Sequence, residues 1–200
     1  MITQIAVNIL GFLVFLFLFW RKLKEDYSAQ PIFTTGFYML IGFLAFYFLA
    51  FSLLFKYWFW LGFVGIGVGL AIGIKRFHLK AYEAMEAVVC GILIWLALVF
   101  LNDSVANSSI FSFAGFAAVI AIVGIYYFLD GHYHNFAWYK SGKIGFAGLT
   151  SAGIFFLARA VVAGLFPFVL SFSGKYELYL SAIASFIFFL LTYNLARTKI

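Results

Sequence analysis

Charged residues are scarce in this chain of 200 residues. They make up 10% of it, whereas 66% of the residues are hydrophobic and the mean hydropathy is +1.09. A soluble domain is about a quarter charged and about half apolar. The composition therefore excludes an ordinary soluble domain, and the apolar runs leave no room for a separate soluble domain between them.

Cysteine and proline are almost absent. Cys90 is the single cysteine, which excludes a disulfide within the chain and a cysteine metal cluster. It lies inside an apolar run, as a small buried apolar residue does. The two prolines, Pro31 and Pro167, stand at the ends of apolar runs. The chain also has no P-loop, no Gly-x-Ser-x-Gly elbow and no His-Glu-x-x-His motif.

Seven long apolar runs occupy most of the sequence. A helix needs about 20 apolar residues to cross a bilayer. The runs are continuous rather than alternating in polarity, which favours helices over barrel strands. The sequence therefore predicts a single all-α membrane domain over residues 1–200, a polytopic bundle of seven transmembrane helices. The predicted spans are 2–20, 32–55, 58–74, 81–101, 110–129, 144–166 and 176–195.

Basic residues gather in alternate gaps between the runs. Ten of the thirteen Lys and Arg residues follow this rule: Arg21, Lys22, Lys24, Lys75, Arg76, Lys80, Lys140, Lys143, Arg197 and Lys199. Short loops rich in Lys and Arg stay in the cytoplasm. The pattern predicts an outer N-terminus and a cytoplasmic C-terminus. It indicates contact with anionic lipid head groups rather than with nucleic acid.

The first apolar run has no basic residue before it and no small-residue cleavage site. Its charges follow the apolar stretch, unlike those of a signal peptide. We therefore interpret it as the first transmembrane span.

Arg159 is the one basic residue inside an apolar run. A cation at bilayer depth usually faces the bundle interior, a water-filled cavity or a partner. Two interpretations follow: its side chain reaches the outer surface, or it binds an anion such as a lipid phosphate. No carboxylate in the spans lies at matching depth, so Asp103 is the best predicted protein partner. Asn102 and Asp103 join Arg159 as candidates for binding a lipid phosphate.

The third span carries glycines at helical spacing. Gly65, Gly69 and Gly73 are four residues apart, and Gly62 lies beside them. Residues four apart share a helix face, and small residues let another backbone come close. The glycines predict either a helix-packing face or the wall of a lipid or substrate cavity.

Two further groups of polar residues have mainly structural interpretations. Glu83 and Glu86 stand near the start of the fourth span, where acids complement the helix dipole and Lys80 can pair with Glu83. The alternative is acid–base chemistry or cation binding. Residues 130–134, Asp-Gly-His-Tyr-His, have metal-ligand types but no second cluster to complete a site. We predict no metal and no cofactor.

Several segments carry a family resemblance. They are the charged stretch Phe19–Asp26, the Gly62–Gly67 segment closed by Lys75 and Arg76, Tyr82–Glu86, and Leu157–Ala160 around Arg159. Together with seven spans they resemble the prolipoprotein diacylglyceryl transferases. Members of this bacterial family move diacylglycerol from phosphatidylglycerol to a lipoprotein cysteine.

The resemblance implies a multi-pass protein of the bacterial cytoplasmic membrane. It implies a phosphatidylglycerol-like phospholipid and prolipoprotein signal peptides as partners, with Arg159, Asn102 and Asp103 near the phosphate. Departures are also present. Trp60-Leu61-Gly62 stands where the family has His-Gly-Gly, Asn102 alone survives from the Arg-x-Gly-x-x-Asn signature, and Ala163 replaces an acid.

Because most expected catalytic residues are missing, two alternatives stay open. The first is a catalytically silent membrane protein that binds lipid or a partner protein. The second is a small transporter or channel, which needs a continuous polar path across the membrane. The polar side chains that such a path would use are Thr150, Ser151, Arg159, Ser181, Ser185 and Asn194.

Overall fold

The computed structural model describes residues 2–54, 57–136, 139, 141, 143–166 and 176–197. This part of the chain forms seven α-helices and one short 3₁₀ turn at Tyr133–Asn135, with no strand. All seven α-helices are long and apolar enough to cross a membrane. The predicted all-α, seven-span architecture is confirmed. The helices are α1 (Ile2–Leu23), α2 (Ala29–Leu53), α3 (Trp58–Phe77), α4 (Ala81–Asn107), α5 (Ile110–His132), α6 (Phe146–Leu165) and α7 (Tyr176–Arg197).

Some sequence predictions fall on residues outside those ranges. They concern the end of the sixth span at Pro167, the outer loop at 168–175, and part of the basic residues in the gaps. Those basic residues are Lys56, Lys140, Lys175 and Lys199.

Several helices extend beyond the predicted spans. The largest difference is at α4, which continues to Asn107. It therefore covers most of the polar gap at 102–109 between the fourth and fifth predicted spans. Its last turn is polar but still helical, because Asn107 donates a hydrogen bond to Asp103 one turn back. Ser108 then ends the helix in the left-handed conformation, and Ser109 caps α5 by accepting from the Ser112 amide. Hydropathy alone misses a polar turn of this kind.

The central helices of the bundle are α4 and α6. Helix α4 packs against α1, α5 and α6, while α6 packs most extensively against α7. Helices α2 and α3 form a close pair, and α2 packs against α1. The bundle has two ends. The basic end is where α1 and α5 finish and α4 and α6 begin; at the far end, α4 finishes and α3, α5 and α7 begin.

The glycines of α3 lie against α2. A Cβ atom added at Gly65 would lie 2.3 Å from the Gly42 carbonyl oxygen, and one at Gly69 would lie 2.4 Å from that of Tyr38. One at Gly73 would meet the Thr35 side chain at 2.3 Å, and one at Gly62 the Phe43 ring at 2.8 Å. These short distances favour the helix-packing interpretation of the glycines over the cavity-wall interpretation. The glycines allow the two backbones to approach to a distance that any side chain would prevent.

We expect Gly69→Ala to lower the free energy of unfolding by about 1–3 kcal/mol, because the added methyl group forces the α2 and α3 backbones apart. The matched control is Gly67→Ala on the same helix, where an added Cβ has nothing within 4 Å. Alanine is the better helix former, so the control should be neutral or slightly more stable. Denaturant titration of the purified protein in micelles measures both. Equal losses for the two variants would contradict the close approach at Gly69.

Candidate functional site

A cavity of about 390 Å³ lies between α4, α5 and α6. This volume is within the range of small-molecule sites, about 300–1,000 Å³. Of the twelve described residues that line it, eleven are apolar and the twelfth is Arg159. The lining residues are Phe100, Phe111, Ala114, Gly115, Ala118, Val119, Ile122, Phe155, Ala158, Arg159, Val162 and Phe166.

Small residues create this cavity and leave it open at the side. Ala114 and Ala118 are one turn apart on α5, and Ala158 faces them from α6; all three are exposed. Phe111 and Phe166 at the rim are also exposed, at 59% and 49%. These helices have the length and polarity of membrane spans, and the exposed residues around the opening are apolar.

Arg159 forms an ion pair with Glu177 of α7. Its Nε donates to Glu177 Oε1, and the side chains of the two residues are 6% and 0% exposed. The guanidinium carbon also lies 3.8 Å from the centre of the Phe59 ring on α3, a cation–π contact. Glu177 also accepts hydrogen bonds from Trp60 Nε1 at 3.1 Å and from Ser181 Oγ at 3.0 Å. One buried network therefore connects α3, α6 and α7.

The prediction that Asp103 pairs with Arg159 is wrong. Asp103 instead accepts hydrogen bonds from Asn107, at 2.7 Å, and from Ser112. Arg159 lies six residues before the end of α6, which is about 9 Å of helix rise. A carboxylate in the first turn of α7 can reach that depth, because both side chains are long. Glu177, in the first turn of the seventh span, was not among the predicted partners of Arg159.

The cavity brings together only part of the predicted phosphate site. Arg159 contributes to its lining, but Asn102 and Asp103 do not. Arg159 is 7% exposed, so its head group stays inside the bundle and does not reach the surface. The glycines Gly62, Gly65, Gly69 and Gly73 do not line this cavity.

A second, partly buried ionic cluster lies at the basic end. Lys22 Nζ is 2.7 Å from Asp130 and 3.3 Å from Glu86. Glu86, which is 2% exposed, also accepts from the backbone amides of Gly145, at 2.8 Å, and Gly148, at 3.4 Å. These amides belong to the first turn of α6, whose N–H groups lack partners within the helix. Glu86 therefore caps α6 from α4, whereas the sequence suggested that it complements the dipole of its own helix.

The other polar residues near the basic end have ordinary partners. Lys80 lies 2.9 Å from Glu83, as predicted, and 3.3 Å from Asp26. The hydrogen bonds to Glu83 and Asp26 raise the pKa of the exposed Lys80 ammonium group. Asp130 is held by Lys22, and His132 Nδ1 lies 2.9 Å from the Phe128 carbonyl. In the described ranges no group of three or more His, Cys, Asp or Glu residues is placed to hold a metal.

Two of the polar side chains that a conducting path would use are bound within the α6–α7 region. Ser181 donates to Glu177, and Ser185 donates to the Gly153 carbonyl at 2.9 Å. Both are buried. The Ser181 hydrogen bond lies within α7, whereas that of Ser185 joins α7 to α6. Neither gives the transporter alternative support.

No family model, curated protein or solved structure matches this chain. Function is therefore inferred from the cavity and from the buried network beside it.

The Arg159–Glu177 pair gives a prediction for stability. Arg159→Met should cost about 3–5 kcal/mol, because it leaves a buried carboxylate without its counter-charge. The double variant Arg159→Met with Glu177→Met should be more stable than Arg159→Met alone, since apolar replacement of a buried pair is often close to neutral. Unfolding of the single and double variants in micelles measures the coupling. Additive losses would show that the two charges do not stabilise each other.

Proposed function

We propose that this protein binds the hydrocarbon chain of a membrane lipid in the cavity between α4, α5 and α6. The observation that carries the proposal is the apolar lining combined with the side opening between Ala114, Ala118 and Ala158. A chain can enter such a site directly from the bilayer without passing through water.

The driving force for this binding is packing. A chain that moves from lipid into the cavity stays in apolar surroundings, so little hydrophobic free energy is gained. Filling the void restores dispersion contacts that its lining otherwise lacks. The phenylalanine rings of α4, α5 and α6 supply a large contact area for a chain of matching shape. We therefore expect selectivity for chain length and shape.

The proposed location is a bacterial cytoplasmic membrane, with the N-terminus outside, as the alternating basic residues and the family resemblance favour. In that orientation the basic end faces the cytoplasm. Arg159 and the cavity then lie in the outer half of the membrane, because Arg159 is near the far end of α6. The bound chain would come from a lipid of the outer leaflet.

Filling the cavity should prevent binding. We expect Ala118→Phe to lower labelling of the protein by a lipid with a photo-reactive group in its chain by at least about tenfold, equivalent to about 1.4 kcal/mol of binding free energy. Ala117→Phe is the matched control, because Ala117 is the adjacent exposed alanine on α5 and does not line the cavity. Peptide mapping by mass spectrometry should place the label of the unmodified protein on α4, α5 or α6. Unchanged labelling of Ala118→Phe would refute the proposal.

A second candidate is diacylglyceryl transfer from a phosphatidylglycerol-like phospholipid to the cysteine of a prolipoprotein signal peptide. One observation favours it beyond the resemblance. Arg159, on the helix that resembles the family's arginine-bearing span, lies at the wall of a lipid-sized cavity. Glu177 gives this arginine a carboxylate partner, where the acid at position 163 is missing from the sequence. Asn102 and Asp103, which do not line the cavity, are the other residues that the resemblance suggests for contact with the head group.

Transfer is tested with purified protein, labelled phosphatidylglycerol and a peptide that carries the lipoprotein cysteine motif. If the protein is a transferase, label should move to the peptide, and both Arg159→Ala and Ala118→Phe should reduce the rate. Ala117→Phe again serves as the control for folding. Chain binding without label transfer would instead identify a catalytically silent lipid-binding protein.

A further inference from the structure

We infer that the Arg159–Glu177 pair makes the cavity selective for uncharged lipids, with Glu177, which does not itself line the cavity, acting by balancing the charge of Arg159. This inference rests on the proposed function and names the ligand class of the same site. It replaces the expectation, drawn from the isolated arginine in the sequence, that the site attracts an anion.

The charge at the cavity wall is already balanced. Arg159 is the one charged residue among the described residues that line the cavity, and an arginine keeps its proton in proteins. Its Nε is bound to Glu177, which is 0% exposed. Glu177 is itself held in place by Trp60 and Ser181. A ligand in the cavity therefore meets an arginine whose positive charge is already matched by a carboxylate that is fixed in place.

The chemistry of the ligand then decides whether it binds. An anionic head group that enters with its chain must give up water, and the neutral pair offers no net charge to compensate for that loss. A hydroxyl or ester group loses much less on leaving water. The favoured ligand is therefore an uncharged lipid, such as a fatty alcohol or a diacylglycerol.

Removing the negative charge should reverse this preference. In Glu177→Gln the Arg159 guanidinium keeps its charge without a counter-ion, so an anionic ligand supplies the missing partner. The double variant Arg159→Gln with Glu177→Gln is neutral again. It should prefer uncharged ligands, as the unmodified protein does.

Competition against the photo-reactive lipid measures these preferences in the purified, full-length protein. The competitors are a fatty alcohol and the alkyl sulfonate of the same chain length, which stays ionised at every pH used. The unmodified protein and the double variant should bind the alcohol at least about tenfold more tightly than the sulfonate. Glu177→Gln should bind the sulfonate more tightly than the alcohol. Ala118→Phe gives the background from non-specific partition.

The outcomes separate this inference from the proposed function. If neither competitor displaces the lipid from the unmodified protein beyond the Ala118→Phe background, the proposed function itself fails. If both displace it equally well, the cavity binds chains but the selectivity inference is overturned. A preference for alcohol that Glu177→Gln leaves unchanged also overturns the role of Glu177. If Glu177→Gln does not fold, the comparison of alcohol with sulfonate in the unmodified protein still decides the selectivity.

Discussion

Burial of an ionised group in hydrocarbon costs several kcal/mol unless another group compensates its charge, and this constraint governs how α6 is held. At its first turn, Glu86 of α4 accepts from the Gly145 and Gly148 amides. Near its far end, Glu177 of α7 pairs with Arg159. Eleven residues, about 17 Å of helix rise, separate Gly148 from Arg159. Carboxylates from two different helices thus hold α6 near both ends, and the cavity lies beside its second half.

The two carboxylates act differently because their partners differ. Glu86 serves a helix terminus and also binds Lys22, which is 28% exposed and shared with Asp130. Its cluster therefore lies where some water reaches it. Glu177 and Arg159 are almost fully enclosed, and aromatic side chains of α3 cover them. Solvent screens the first cluster far more than the second, so the second contributes more to the electrostatics of the neighbouring cavity.

Much of the fold could be predicted from the sequence, because the number of spans depends on hydropathy alone. Helix ends were harder to predict. The last turn of α4 is polar, and its side chains bind one another and α5 instead of leaving the helix. The partner of Arg159 could not be found by matching depths along the sequence. That pairing depends on which helices are neighbours in the bundle, and the spacing of residues along the sequence does not contain this information. The signal available was a lone acid in the first turn of the span that follows the arginine.

Small residues illustrate the same limit. Gly65 and Gly69 of α3 meet the α2 backbone directly, whereas Ala114, Gly115 and Ala118 of α5 border an open cavity. The residue types are alike, but the outcome depends on which groups of the neighbouring helix face them. At Gly65 the facing residue is Gly42, and at Gly115 it is Phe100. A sequence pattern of small residues therefore indicates a close approach or a void, and only the facing helix distinguishes the two.

The Glu86 cap also makes the start of α6 depend on an earlier part of the chain. Lys22 and Glu86 belong to the first and fourth helices, whereas the Gly145 and Gly148 amides that Glu86 accepts stand at the start of the sixth. A chain is synthesised from its N-terminus, so the carboxylate exists before these amides do. The first turn of α6, the most enclosed helix among the described residues, therefore obtains this acceptor only by packing against α4.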